Sequence, residues 1–267
     1  MILIKREANE QLMSSYLAFV AAIVFVLIIL TALIQFVVGD SNFPMRLYTD
    51  GVLRILLSIP CIIVLGQIIQ GSGFKFAFAT KGFKMGIFAH IFFLLWISLR
   101  LPLFFIATEF NMEFIPMIPG IIFFDLAVGI FEEVLFRGIF MTAMLIQFGG
   151  TAKGRIFCVL LNGLVFGLIH LIGGDFLTVL FTGALGVGFA AAYVYSKNLL
   201  SCMVVHALWN IAFKIPNGFI VDVNNAGLLA ASQMVTYISI GAIFLFAIIL
   251  TIKSKPFYEV AGSEITT

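Results

Sequence analysis

The sequence predicts an all-α fold, a polytopic membrane helix bundle of about eight transmembrane segments with the N- and C-termini cytoplasmic. Three observations predict it. Of the 267 residues, 62% are hydrophobic and only 10% are charged, whereas soluble domains carry about a quarter charged residues. The mean hydropathy is +1.17. Finally, the apolar residues fall into eight runs, at 16–38, 52–70, 85–107, 118–148, 155–172, 176–196, 199–213 and 228–252, most of them near the ~20 residues that a spanning helix needs.

Taken in order, the first run follows the polar stretch "MILIKREANEQLMSS" and extends from Tyr16 to Val38. A signal-peptide core is about 7–15 residues long and ends in small residues; this run is longer, and Gln35 to Val38 offers no such site, so it reads as a retained first span. The fourth run is too long for one perpendicular crossing. It is expected to tilt, or to begin with a broken or re-entrant piece around "PMIPG". The seventh run has fifteen residues, or about 22 Å of helix, and reads as tilted or incomplete. The tails, 1–15 and 253–267, are polar. With short loops throughout, the whole of 1–267 reads as a single membrane domain, so any chemistry lies in or beside the bilayer.

Charge placement sets the expected orientation. With the N-terminus inside and the runs alternating, Lys5, Arg6, Lys75, Lys81, Lys84, Lys153, Arg155, Lys197, Lys253 and Lys255 fall on the cytoplasmic side. The outer loops are expected to hold Arg46 and Lys214, together with Asp40, Asp50, Glu109, Glu113, Asp175 and Asp222. This excess of inner bases follows the positive-inside rule. The net charge is only +2, and no basic run suits nucleic acid. Cys61, Cys158 and Cys202 sit in apolar runs and read as small buried hydrophobes.

Function then falls on polar groups inside the spans, where a charge at mid-bilayer costs at least about 2.5 kcal/mol. These are Arg100, Asp125, Glu132, Glu133, Arg137, Asn162, His170, His206 and Asn210. Glu133 and Arg137 are i,i+4 and can pair on one helix face. Glu132 is turned about 100° away, must find another partner or a proton, and suits a general base. Asn162, Phe166 and His170 form one stripe, and His206 and Asn210 another. If both face Glu132, one pocket gathers the parts needed for water to attack a carbonyl. His90 has no polar companion at helical spacing and reads as structural, as does Asp125, which could pair with Arg100 or line a water path. Gly163 and Gly167 form a GxxxG packing face. Counted along the helices, Glu132 lies about 21 Å from the outer end of its run and His170 about 22 Å from the inner end of its own. In a core of about 30 Å these depths differ by about 13 Å.

The pattern Glu132-Glu133-xxx-Arg137, Phe166-xxx-His170 and His206-xxx-Asn210 resembles the CPBP family, the CAAX-processing and bacteriocin-processing (Abi) intramembrane proteases, with residues 118–213 as the core. The resemblance implies a glutamate-dependent endopeptidase of the bacterial plasma membrane acting on a membrane-bound or lipid-linked peptide. By position, Glu132 would activate water with help from His170. His206 and Asn210 would steady the oxyanion, and Glu133 and Arg137 would hold the helix. No cofactor is firmly implied; a zinc ion, if used, would draw on Glu132, His170 and His206. The expected partners are the peptide substrate and membrane lipids. Two rival readings stand beside this one: a non-catalytic bacteriocin-immunity or scaffold protein of the same family, and a proton-relay transporter.

Overall fold

The computed structural model describes residues 9–39, 43–110, 112–218 and 220–256. Lys5, Arg6, Asp40, the 257–267 part of the C-terminal tail and the side chain of Glu113 lie outside the described residues. The chain is an all-α bundle. Among the described residues, seven helices are long and apolar enough to cross a membrane, or eight if one bent pair counts as a single span. In order these are α1 (Asn9–Val38), α2 (Phe43–Ile68), the bent pair α4 (Phe83–Ala89) and α5 (Ile91–Ala107), α6 (Ile118–Glu133) continuing into α7 (Thr142–Phe148), α8 (Ala152–Ile169), α9 (Phe176–Ser196), α10 (Leu199–Gly218) and α11 (Ala226–Lys253). A short helix, α3 (Gly73–Ala77), joins α2 to α4. All eight predicted runs correspond to these elements.

At one end, two short strands pair antiparallel, β1 (Thr108–Phe110) with β2 (Ile220–Val223). This ribbon adds to the predicted all-helical fold and ties the exit of α5 to the α10–α11 connection. The opposite end is closed by side chains on backbone carbonyls. Arg155 donates to the Ser254 and Gly149 oxygens, Lys197 to Pro256, and Asn198 to Ala79 and Lys81.

Several boundaries differ from expectation. The seventh span is not short, since α10 runs to Gly218 and its 20 residues are about 30 Å of helix. Lys214, expected in an outer loop, is therefore helical. Arg46 and Asp50 are also helical, because α2 starts at Phe43. The fourth span covers 35 residues, Phe114–Phe148. It opens with a 3-10 segment over Met112–Met117, where "PMIPG" suggested a break. Residues Val134–Met141 are then wound as a π-helix, which no sequence period announced.

The core contains a stacked tryptophan pair, Trp96 and Trp209, with ring centroids 3.7 Å apart. Trp96 Nε1 donates to Thr236 Oγ1 at 3.0 Å, linking α5 to α11. The predicted GxxxG face joins α8 to α9. A Cβ on Gly163 would overlap Val187 and stand 2.8 Å from Gly183 O, and one on Gly167 would stand 2.5 Å from Val179 O. Only hydrogen at these positions lets the two helices close, which brings α9 against the α6–α7 span. The three cysteines are buried and free, as expected.

Candidate active site

The α6–α10 pair is the frame of the site. The two helices run antiparallel, joined by two polar contacts eight residues apart on each helix. Gly129 lies between them, where a Cβ would stand 2.8 Å from Met203 O and 3.2 Å from Ala207 N. At one end of this pair, Glu133 Oε1 accepts from Arg137 Nη1 at 2.8 Å and from His206 Nδ1 at 2.7 Å. The Glu133 and Arg137 side chains are both 0% exposed. At the other end, Asp125 pairs with Lys214.

Arg137 is held by more than its glutamate. Its Nη2 donates to Gly186 O at 3.2 Å, and its guanidinium lies 4.6 Å from the centroid of the Phe166 ring and 5.4 Å from that of Phe189. It sits in the π-helical stretch, whose wider winding leaves carbonyls for side chains to serve. Asn162 Nδ2 donates to Phe136 O at 2.9 Å, and Thr142 Oγ1 donates to Arg137 O at 3.2 Å. Asn162 therefore braces the helix that carries Arg137, rather than joining a reactive stripe as the sequence suggested.

His206 is the hinge of the cluster. Oε1 of an ionised Glu133 can only accept, so His206 Nδ1 carries a proton and Nε2 is turned outward. Nε2 stands 3.7 Å from Glu132 Oε2, too far for a direct hydrogen bond. Glu132 is 17% exposed, and its Oε2 is buried without a hydrogen-bond partner among the described residues. The two adjacent glutamates thus differ as the helix geometry required. Glu133 faces Arg137, and Glu132 faces away from it.

His170 ends α8. Its Nδ1 lies 2.7 Å from Phe166 O; a carbonyl only accepts, so Nδ1 donates and Nε2 is left for another group. Its ring packs 4.7 Å from that of Phe166, which in turn lies 6.1 Å from His206. Glu132, His170, His206 and Asn210 all line one open cavity of about 1000 Å³. The depths counted along the sequence do not separate Glu132 from His170. The fourth span is about 50 Å of helix against a core of about 30 Å, a surplus larger than the 13 Å discrepancy.

The other polar candidates take different places. His90 is fully buried at the α4–α5 bend, its Nδ1 donating to Gly86 O at 2.7 Å, and packs on Phe93 and Phe189. Asp125 pairs with Lys214 instead of Arg100. Arg100 Nη1 donates to Ala212 O at 3.3 Å. Pro216 lies four residues further along α10 and has no N–H for that carbonyl, so the arginine supplies the missing donor. Arg54, Arg100, Lys214 and Asp175 also line the cavity; sequence reasoning had not placed Arg54, Lys214 or Asp175 there. Asp175 caps α9, and the backbone N–H and hydroxyl of Thr178 hold its carboxyl below the usual carboxylate range. Among the described residues no three His, Cys, Asp or Glu side chains group as a metal site, and this includes Glu132, His170 and His206.

Comparison with known proteins gives one match. Residues 114–212 match the family model described as Type II CAAX prenyl endopeptidase Rce1-like. The matched stretch contains all seven residues of the three motifs and supports the CPBP family. No curated protein and no solved structure matches the chain.

Proposed function

Starting from the CPBP-family match at residues 114–212, we propose that the protein is an intramembrane endopeptidase in which Glu132 activates the attacking water. The family match supports a CAAX-type membrane protease in general terms, and does not favour the non-catalytic alternative. The observation that carries the finer reading is that Glu132, His170, His206 and Asn210 line one cavity. The substrate is a membrane-bound or lipid-linked peptide, and the setting a bacterial plasma membrane with both termini cytoplasmic.

In this reading water sits between Glu132 Oε2 and His170 Nε2. Glu132 takes its proton as the oxygen adds to the peptide carbonyl. The new oxyanion accepts from Asn210 Nδ2 and from His206, which must then carry protons on both ring nitrogens. Glu133 supports that charged ring from the Nδ1 side, while Arg137 keeps Glu133 ionised and fixed. When the carbon–nitrogen bond breaks, the proton held by Glu132 passes to the leaving amine. No step is routed through a metal.

The test is cleavage of a membrane peptide by purified variants. Glu132→Ala, His170→Ala and His206→Ala are each expected to abolish cleavage while folded protein still accumulates. Full activity retained in all three contradicts the assignment.

A further inference from the structure

Lys214, Arg54 and Arg100 line the part of the cavity remote from Glu132 and play no part in the chemistry proposed above. Lys214 and Arg54 both lie against one aromatic ring there. Lys214 Nζ lies 4.4 Å and Arg54 Cζ 4.8 Å from the Phe124 centroid. Arg100 lies over Phe213, the neighbour of Lys214, at 5.3 Å. All five side chains line the cavity.

Charges inside membrane helices are costly and usually mark the path of a substrate or ion. The partners in hand use only part of their capacity. Lys214 has three N–H donors, one engaged by Asp125, and its side chain remains 42% exposed. Arg54 gives Nη1 to Asp50 O at 3.3 Å, and its contact with the Asp50 carboxylate is long, at 4.0 Å. Its other terminal nitrogen remains to meet a ligand. The distance from the reacting group follows from two helices. Phe124 precedes Glu132 by eight residues on α6, and Lys214 follows His206 by eight on α10. Each count gives about 12 Å.

Resting on the reading of this cavity as a peptide-cleaving site, we infer that Lys214 and Arg54 form an anion subsite, which holds a carboxylate or phosphate group about 12 Å from Glu132. The group comes either from the bound peptide or from a lipid headgroup entering the same cavity. Phe124 and Phe213 give its attached chain an apolar bed, so the subsite selects amphiphilic anions over freely soluble ones.

The test measures binding in a full-length Glu132→Gln protein, which does not turn the probe over. The probe is an apolar peptide with a free C-terminal carboxylate, compared with its carboxamide twin, in phosphate-free alkyl maltoside micelles. The carboxylate form is expected to bind at least about tenfold tighter. Adding Asp125→Asn with Lys214→Gln removes that pair as a unit and leaves neither charge stranded. Adding Arg54→Gln instead probes the subsite without touching the pair. Both are expected to shrink the preference while the carboxamide affinity holds. Equal binding of the two peptides to the Glu132→Gln protein, or a preference surviving in both added variants, overturns the subsite. If phosphatidylglycerol added to the micelles erases the preference, a lipid phosphate occupies the subsite; if it has no effect, the peptide carboxylate does. If the parent protein, with Glu132 intact, fails to cleave the peptide, this result still stands. If the parent cleaves it while the Glu132→Gln protein shows no anion preference, the subsite alone is removed.

Discussion

The two polar contacts between α6 and α10 each rest on a buried carboxylate and do different things. Glu133, Arg137 and His206 form a sealed contact, with the glutamate and arginine at 0% exposure. Asp125 and Lys214 form an open one, in which the aspartate is buried and the lysine is 42% exposed to the cavity. Burial decides the difference. A sealed charge that loses its partner stays uncompensated, whereas an open one can turn to water. The sealed contact is therefore suited to fix geometry, and the open one to meet a ligand.

The sharpest way to break this contrast is Arg137→Ala. It strands a buried glutamate and is expected to cost about 3–5 kcal/mol, read as a large fall in the thermal midpoint in detergent and in accumulated protein. Gly129→Ala comes next. Its Cβ meets backbone rather than a flexible side chain, so both contacts are strained, at about 1–3 kcal/mol, again measured by thermal midpoint. Asp125→Asn is expected to cost less, about 1 kcal/mol or below, because Lys214 can face the cavity. A double-mutant cycle with Lys214→Gln should give a smaller coupling than the Glu133–Arg137 cycle.

The smallest effect is at Asp175, whose cap on α9 lies outside the spans. Its carboxyl is held below the ordinary range by Thr178. Its contribution is therefore present above the unfolded value of about 3.9 and is lost as pH falls through the lower folded value. The gap in thermal midpoint between the parent and Asp175→Ala should be open at neutral pH and should narrow in acid.

The same contrast shows what was legible in the sequence. Glu133 and Arg137 could be paired from spacing alone, because i,i+4 residues meet in either helical winding. The eight runs were legible because each is long, apolar and bounded by polar residues. Lys214 was not legible as a cavity residue. It precedes Pro216, Asn217 and Gly218, which together read as a loop, but the helix continues because Arg100 serves the carbonyl that Pro216 leaves open. The π-helical stretch was hidden for a related reason. Its stability rests on Asn162 and Thr142 meeting particular carbonyls, and those partners become visible only in three dimensions. The hydrogen bond from His206 to Glu133 joins residues 73 positions apart, beyond the reach of any helical period.

The most direct test compares two neighbours, Glu132→Gln and Glu133→Gln, in the same purified preparation, scoring peptide cleavage and thermal midpoint together. The account predicts that Glu132→Gln loses cleavage by at least about a hundredfold with its midpoint unchanged, and that Glu133→Gln lowers the midpoint. Undiminished cleavage by Glu132→Gln would contradict it.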